Sequence, residues 1–519
     1  MRSEGGEEGT AIQGMHDLLV IGGGINGAAI ARDAAGRGLS VLLVEREDAA
    51  QHTSSASTKL IHGGLRYLET YEFRLVREAL HERAVMLATA PHLVTPLRFI
   101  LPHAATLRPA WMISAGLFLY DHLGGRGSLP GSAQVRLDAG SLASLLKPGY
   151  ARGFEYSDAW VDDSRLVAVN LLDAAEHGAD VRTRTPLVAA ERGSDGWRAT
   201  IESGGVQADV RARAIVNAAG PWVGETLTGP LHAAEHRTMR LVKGSHIIVD
   251  RLYDDDRAFI LQNDDRRIVF VIPYQRDFTL IGTTDIPWDG APGTPRLTAE
   301  EARYLCDAVG VYLRRPITPA DIRHSYSGIR PLYDDAATSA FTVTRDYLLD
   351  LDARDGEAPL LSVYGGKITT ARRLAEHALE KLGPVLGTRA HAWTKRSPLP
   401  GGDLGAEGLA GFIDRSRRRW PGLPHDMLDR MAHAYGSRME RVLGDARSMS
   451  DLGMHFGAGL TASEVDYLAR VEWARTADDV LWRRSKLGMR LDAEGVAAVE
   501  DHLRVVLGSV PRPDPVRAG

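Results

Sequence analysis

Two apolar runs stand close together near the N-terminus. Leu18 to Ile21 is followed by glycines and a helical stretch, Ala28 to Ala35; then Ser40-Val-Leu-Leu-Val-Glu45 ends on an acid. Short continuous runs of this kind predict strands buried on both faces, and the helix between them predicts a parallel crossover. Helical periodicity returns over Tyr71 to Ala88. Strand-like runs recur from Val181 to Asn217, with turn signals at Gly193, Gly196 and Gly204-Gly205. Within them, Ala212-Arg-Ala-Ile-Val-Asn-Ala-Ala-Gly220 reads as an apolar strand ending at glycine. Between Met239 and Asp285 the pattern predicts strands at His246–Val249, Ile268–Ile272 and Phe278–Gly282, then a helix from Ala299 to Tyr312. A further strand, Leu360 to Tyr364, runs into Gly365-Gly-Lys-Ile-Thr-Thr370 and a helix. After the break Ser397-Pro-Leu-Pro-Gly-Gly402 the pattern is mostly helical from Leu409 to Leu507, and Val510-Pro-Arg-Pro-Asp-Pro515 cannot continue a helix. The fold class is α/β with a helical last section.

The first strand, helix and second strand frame Gly22-x-Gly24-x-x-Gly27, which together make a dinucleotide-binding βαβ unit. Gly22 permits the tight turn, Gly24 lets the backbone approach a pyrophosphate, and Gly27 lets helix and strand pack closely. The helix N-terminus offers N–H groups and partial positive charge to phosphates. Glu45, about 20 residues on, can accept from both ribose hydroxyls and would repel a 2′-phosphate, which argues against NADP.

At 519 residues the chain should form more than one domain. The formal net charge of −5 gives no global basic field for nucleic acid. Cys306 is the only cysteine, so no internal disulfide and no multi-cysteine metal site is possible; no metal is expected. Met1 to Gly14 is acidic and Gly-rich, reads as a disordered extension, and lacks the pattern of a signal peptide. The apolar stretch around Ala110 to Tyr120 is shorter than the roughly 20 residues a bilayer span needs.

Three separated segments can touch one nucleotide: Gly22 to Glu45, Asn217-Ala-Ala-Gly220 and Gly365 to Thr370. An NAD domain completes its fingerprint locally. A nucleotide site to which the chain returns twice suits FAD, whose isoalloxazine needs its own cradle. A helix starting near Thr370 would aim its dipole at the flavin region that carries charge when reduced.

Longer motifs resemble one family. They include Val20-Ile-Gly-Gly-Gly-Ile-Asn-Gly-Ala28, Ser54-Ser-Ala-Ser-Thr-Lys-Leu-Ile-His-Gly-Gly-Leu-Arg-Tyr-Leu68, Asn217-Ala-Ala-Gly-Pro-Trp222 and Lys243-Gly-Ser-His246. Ile281-Gly-Thr-Thr-Asp285, Tyr326-Ser-Gly-Ile-Arg-Pro-Leu332, Thr344-Arg-Asp-Tyr347, Gly365-Gly-Lys-Ile-Thr-Thr370 and Asp479-Val-Leu-Trp-Arg-Arg484 continue the match. Together they resemble the FAD-dependent, respiratory glycerol-3-phosphate dehydrogenases of the bacterial aerobic type, over essentially everything after residue 14. Ala219 departs from the pattern, standing where a threonine is common.

The resemblance implies a glutathione-reductase-like FAD-binding domain over 15–85, 155–238 and 320–388, a mixed-sheet substrate-capping domain over 86–154 and 239–319, and a helical C-terminal domain over 392–510. It implies oxidation of sn-glycerol 3-phosphate to dihydroxyacetone phosphate through non-covalent FAD, with electrons passed to membrane quinone. It implies peripheral attachment to lipid at the cytoplasmic face of the cell membrane; a homodimer is a possible assembly. FAD contacts fall on Gly22, Gly24, Gly27, Glu45, Ser54, Ser55, Lys59, His62, Gly63, Gly64, Ala219, Gly220, Gly366, Thr369 and Thr370. Substrate contacts fall on Arg66, Tyr67, Arg330 and Lys367, and the catalytic set is Arg330, Lys367 and His246.

The chemistry fits these cations independently of the resemblance. A secondary alcohol beside a phosphate must be held by positive charge; arginine matches phosphate bidentately and lysine acts as a point charge. Arginine keeps its proton until roughly pH 12, so Arg330 suits alkoxide stabilisation rather than proton removal. His62 and His246 are the natural base candidates. Three segments are candidates for a membrane surface: the aromatic-rich Leu107 to Leu123, the basic amphipathic stretch Lys367 to Leu382, and Arg415-Ser-Arg-Arg-Arg419. Core packing is the expected fate of the second and solvation that of the third. A flavin-dependent oxidase, acting on glycerol 3-phosphate or an amino acid and reducing oxygen, is the competing reading.

Overall fold

The structure is a computed structural model; it describes residues 14–509 except 105–108, 125, 126, 128, 235, 236, 266, 334–345, 355, 388 and 389. The expected N-terminal extension, the Pro-rich tail, Leu107, Arg108, Thr344 and Arg345 therefore lie outside the described residues, as does the side chain of Arg66.

The first sheet grows from the expected βαβ unit. His16–Ile21 and Val41–Val44 are parallel neighbours, joined by the helix Ile25–Gly36. Val206–Asn217 flanks the first strand on its other side and is followed by Leu360–Gly365, and these three strands run parallel. Asp180–Arg182 extends the other edge in parallel, and Tyr347–Asp352 adds an antiparallel edge. A hairpin, Leu187–Arg192 and Trp197–Ser203, pairs with Val206–Asn217. The central strands are apolar on both faces because both are covered. On one face lie the helices Ile25–Gly36, Asp163–Glu176 and Ala371–Leu386, with Ile30, Val167, Leu374 and Leu382 in a shared core. On the other, Trp197, Ile215 and Tyr364 form a second core.

The second sheet is mostly antiparallel and has ten strands. Met239–Asp250 pairs on one edge with Ile322–Tyr333 along nearly its whole length and on the other with Phe278–Gly282. The sheet continues through Ile268–Tyr274, Ala258–Gln262, Val94–His103 and Arg152–Val161 to the short Leu60–Ile61. The helix Ala299–Gly310 packs one face around Leu305 and Val309. Phe73–Thr89 and Ala110–Leu123 pack the other, through Val76, Leu80, Leu117 and Tyr120. Arg152–Val161 and Ile322–Tyr333 thus run in this sheet, whereas the expected boundaries at 155 and 320 join most of the first and all of the second to the FAD-binding region. Pairing partners, and not apolar pattern, decide their allegiance. The last section folds around its own core of Trp420, Leu428, Met431, Leu468 and Leu481.

Candidate functional site

Two clefts abut, with Thr53 and Ser54 lining both. The first, about 360 Å³, lies over the glycine turn and is lined by Gly22, Gly24, Glu45, Ala219 and Gly220 among others. Gly22 has φ +108°, and a Cβ there would lie 2.6 Å from the Ala218 carbonyl oxygen. A Cβ on Gly27 would lie 1.9 Å from the Gly22 carbonyl oxygen, so only glycine lets the helix start this close to the strand. Glu45 Oε2 accepts from the Gly23 N–H at 2.6 Å and Oε1 from the Glu47 N–H at 2.9 Å. Burial lifts its pKa above the usual carboxylate range despite those N–H groups. Each oxygen still has a lone pair for a hydroxyl donor. Ser54 Oγ accepts from the Ile25 N–H at 3.0 Å, fixing the first turn of the helix.

Arg46, His52 and Trp222 complete this wall and were not singled out from the sequence. The Arg46 guanidinium lies 4.1 Å from the Trp222 ring centre, and the His52 ring is 4.6 Å from it. Their signal was adjacency: Arg46 follows Glu45, and Trp222 ends the Asn217–Trp222 motif.

The second cleft, about 230 Å³, gathers His62, Tyr67, His246, Arg330, Gly366, Lys367 and Thr369. Ile322–Tyr333 delivers Arg330, and the turn after Leu360–Gly365 delivers Lys367. Gly365 and Gly366 both have positive φ, +72° and +95°, which shapes that turn. Asn26 Nδ2 donates to the Gly365 carbonyl at 3.1 Å and so ties the two glycine turns together. The Lys367 ammonium stands 4.1 Å from the Tyr67 ring centre. Arg330 Nη2 donates to the Thr284 carbonyl at 2.8 Å and pairs with Asp285 Oδ1 at 2.5 Å. Asp346 lines the same cleft and receives Arg74 at 2.5 Å.

His246 is buried, its ring stacked on Tyr326 and its Nε2 3.0 Å from Thr58 Oγ1. Burial, with the positive charges of Lys59 and Arg330, lowers its pKa to about 3. The imidazole is therefore held neutral at pH 7, the form that can accept a proton, and it lines the same cleft as Arg330.

Six expected cofactor contacts stand outside the linings of both clefts: Gly27, packed against Gly22 beneath the turn, and five more. Lys59 has its ammonium 2.9 Å from both Asp163 oxygens and 3.1 Å from the Ser55 carbonyl, so its charge is neutralised in a buried pair. Ser55 Oγ donates to the His52 carbonyl at 3.1 Å, closing a local turn. Gly63 donates to Tyr120 Oη at 2.9 Å, and a Cβ there would lie 2.4 Å from Leu80 Cδ2, which makes it a packing glycine. Gly64, at φ +73°, faces the Tyr67 ring. Thr370 precedes the helix Ala371–Leu386 as its N-cap.

Of the surface candidates, the helix Ala110–Leu123 leaves Trp111 70% and Phe118 64% exposed, with Met112, Ala115 and Leu119 on the same side. Leu117 and Tyr120 turn inward. The helix Ala371–Leu386 instead buries its apolar stripe in the core, and Arg372 pairs with Glu82 at 2.6 Å. Arg415, Arg417 and Arg419 pair with Glu407, Asp429 and Glu440. No helix among the described residues is long and apolar enough to cross a membrane.

The sequence and the fold are similar to those of known proteins. Residues 17–372 match the family described as FAD dependent oxidoreductase, and residues 392–508 match the C-terminal domain of alpha-glycerophosphate oxidase. The chain is 53% identical to a glycerol-3-phosphate dehydrogenase of Pseudomonas aeruginosa, over 92% of this chain and 93% of that one. It is 51% identical to the aerobic glycerol-3-phosphate dehydrogenase of Escherichia coli, over 94% and 97%. A D-erythritol 1-phosphate dehydrogenase of Brucella abortus is 48% identical, over 93% and 97%. Among solved structures, the glycerol-3-phosphate dehydrogenase from Bacillus halodurans complexed with FAD superposes with a TM-score of 0.71 at 27% identity, covering 95% of this chain and 94% of that one. The glycine cradle, the carboxylate at Glu45 and the second set of glycines at 365–366 fit the same cofactor, and the chain belongs to the FAD-dependent glycerol-3-phosphate dehydrogenases.

Proposed function

We propose that this enzyme oxidises the secondary hydroxyl of sn-glycerol 3-phosphate to the ketone of dihydroxyacetone phosphate, using FAD held without a covalent bond. In the same reading the electrons go to membrane quinone, from a body docked on lipid at the cytoplasmic face. The observation that carries it is the meeting of Arg330 and Lys367 in a cleft that abuts the nucleotide cleft.

FAD, when bound, supplies the hydride acceptor. Gly22, Gly24, Glu45, Ala219 and Gly220 would hold its nucleotide end, and Gly366 and Thr369 its other end. Lys367 offers a compact positive charge to the phosphate, with Tyr67 beneath it as a hydroxyl donor and Arg66 assigned to the same group. Arg330, with a guanidinium that keeps its proton, stabilises the developing negative charge on the substrate oxygen, whose proton leaves to the neutral imidazole of His246 in the same cleft or to water. Asp285 and the Thr284 carbonyl hold that guanidinium in place. The exposed side of Ala110–Leu123, with Trp111 and Phe118, supports peripheral docking, since large aromatic side chains left in water on one helix face suit the boundary between headgroups and acyl chains.

Anaerobic addition of sn-glycerol 3-phosphate to the detergent-purified, flavin-loaded protein tests the reading: the visible flavin absorbance should bleach. Arg330→Ala should lower kcat/KM by about 100-fold with FAD content unchanged. Acid precipitation should release all the yellow colour. Near-normal turnover by the variant removes Arg330 from the site. A preference for D-erythritol phosphate would move the substrate to a longer polyol. Oxygen reduced as fast as quinone would replace the dehydrogenase by an oxidase.

A further inference from the structure

The motifs Lys243-Gly-Ser-His246 and Ile281-Gly-Thr-Thr-Asp285 contain charged and hydroxyl groups that line neither cleft. Lys243, Ser245 and Thr284 all converge on Glu301, a buried carboxylate in the first turn of the helix Ala299–Gly310. Glu301 Oε2 accepts from Lys243 Nζ at 2.7 Å and from the Thr298 N–H at 2.9 Å. Oε1 accepts from Ser245 Oγ at 2.7 Å and from Thr284 Oγ1 at 3.0 Å. Four donors thus meet one carboxylate. Burial pushes its pKa up, but the bonds from Lys243, Ser245 and Thr298 outweigh this and leave it below the usual range.

This cluster is wired to Arg330 through Thr284. The Thr284 hydroxyl donates to Glu301 and accepts from the Ser245 N–H at 2.9 Å, which fixes the residue from both sides. The carbonyl of the same residue accepts from Arg330 Nη2 at 2.8 Å, and the next residue, Asp285, is its ion-pair partner. A second route runs through Ser245 Oγ, 2.7 Å from Ser327 Oγ, three residues before Arg330 on its own strand. Gly244 makes the close fit possible: a Cβ there would lie 2.7 Å from Arg330 Nη2 and 2.7 Å from Thr283 Oγ1.

We propose that Glu301 is a positioning residue for Arg330: by holding Thr284 and Ser245, it fixes the carbonyl and carboxylate that aim the guanidinium into the cleft. An ordinary helix-capping carboxylate would serve its own helix alone. Glu301 does that with Oε2, through the Thr298 N–H, while Oε1 serves Thr284, whose carbonyl holds Arg330, and Ser245, which reaches Arg330's strand at Ser327. The inference rests on the catalytic reading of Arg330, and the test separates the two.

Glu301→Gln keeps the shape but replaces one acceptor oxygen by an NH₂ donor. Lys243 attracts the remaining oxygen, so the NH₂ faces Ser245 and Thr284, whose hydroxyls must then turn away. Turnover of sn-glycerol 3-phosphate with a dye acceptor is measured on flavin-loaded Glu301→Gln, Glu301→Asp, Arg330→Ala and the Arg330→Ala/Glu301→Gln pair. We expect Glu301→Gln to lower kcat by about 10-fold with KM changed less than about 2-fold, and Glu301→Asp to restore part of the loss. On the Arg330→Ala background, Glu301→Gln should cost nothing further, because the group it positions is gone. Losses that multiply in the double variant would make Glu301 a structural residue only and overturn the proposal. So would a normal kcat for Glu301→Gln. Normal turnover by Arg330→Ala alone would instead overturn the catalytic reading beneath it. If Glu301→Gln fails to fold, Thr284→Val, which deletes the linking hydroxyl and keeps the carbonyl, is carried through the same cycle with the same criteria.

Discussion

Replacing Gly27 by alanine tests the nucleotide cradle with a single methyl group. Its Cβ would lie 1.9 Å from the Gly22 carbonyl oxygen and 3.1 Å from its carbon. A relaxed contact between carbon and oxygen is about 3.3 Å, so strand turn and helix must part by about 1.4 Å at this point. The helix cannot retreat without loosening Ala28, Ile30 and Ala31, which are fully buried in the shared core. Nor can Gly22 yield, because its own surroundings place the Ala218 carbonyl 2.6 Å from where a Cβ would stand. A displacement of that size takes the first backbone N–H groups of the helix out of hydrogen-bond range of a phosphate. Each charge-assisted bond contributes about 1.5–3 kcal/mol, so losing two weakens binding by about 3–6 kcal/mol, or roughly 100-fold to more than 10,000-fold. The assay is flavin content per chain after purification, with FAD titrated back into the deflavinated protein. Gly310→Ala is the control, since a Cβ there meets nothing within 4 Å. Stoichiometric flavin in Gly27→Ala, with an unchanged dissociation constant, would refute the argument that the Gly22–Gly27 contact sets the cradle.

Trp111→Asp and Phe118→Asp together should release the protein from anionic vesicles, since each exposed aromatic contributes about 2 kcal/mol when buried in an interface; co-sedimentation equal to the parent protein would discard the Ala110–Leu123 face. Leu117 is not a suitable target, because it is core. A pH prediction follows from two buried histidines. Burial, aided by neighbouring positive charge, lowers the pKa of His92 and of His246 to about 3 from an ordinary 6.5. Both are neutral when folded and take up protons when the chain unfolds below pH 6.5. Their stability contribution is therefore complete above pH 6.5 and is lost as pH falls toward 3, by about 1.4 kcal/mol per histidine per pH unit. Thermal midpoints measured from pH 7.5 to 5 should fall less steeply for His92→Gln than for the parent; equal slopes would contradict the assignment.

The first sheet was legible because its strands are buried on both faces and announce themselves as apolar runs. Leu18 to Ile21 and the run between Ser40 and Glu45 became strands within a residue or two at each end, and the glycines between them became the turn. The second sheet was harder, and for a physical reason. Ile322–Tyr333 reads Ile-Arg-His-Ser-Tyr-Ser-Gly-Ile-Arg-Pro-Leu-Tyr, with glycine and proline inside and polar residues throughout. It is a strand because Met239–Asp250 pairs with it along its length, not because its own pattern asks for one. Val94–His103 carries two prolines and was missed for the same cause. Arg330, Lys367 and Tyr67 could be selected from their motifs, and the structure brings them to one cleft. Lys59 could not be told apart from them in sequence: its partner Asp163 is 104 residues away, and only folding shows that the charge is already matched. Glu301 was invisible as well, since an acid in a helix's first turn ordinarily signals a cap and nothing more.

The segment from Asp48 to Lys59 explains how distant parts of the chain bear on one site. It forms the wall shared by the two clefts, and nearly every anchor it has comes from elsewhere. Thr53 Oγ1 donates to the Ile329 carbonyl at 2.7 Å, one residue before Arg330. Tyr326 Oη donates to the Ser57 carbonyl at 2.8 Å, and Thr58 meets His246. Asp163 receives Lys59 and the Ser57 hydroxyl, and Lys486 of the helical last section lies 3.6 Å from the same carboxylate. Asp48 is clasped by Arg484 at 2.8 and 3.0 Å and by Arg483 at 2.5 Å, all fully or largely buried. Breaking one side of such a buried pair costs about 3–5 kcal/mol, because the other charge is left without a partner. The last section lines neither cleft, yet it holds both ends of the wall between them. A displacement near 1 Å at reacting groups can cost about 100-fold in rate. Charge matching at Asp48 and Asp163 therefore sets a tolerance on the site from a domain that never touches it.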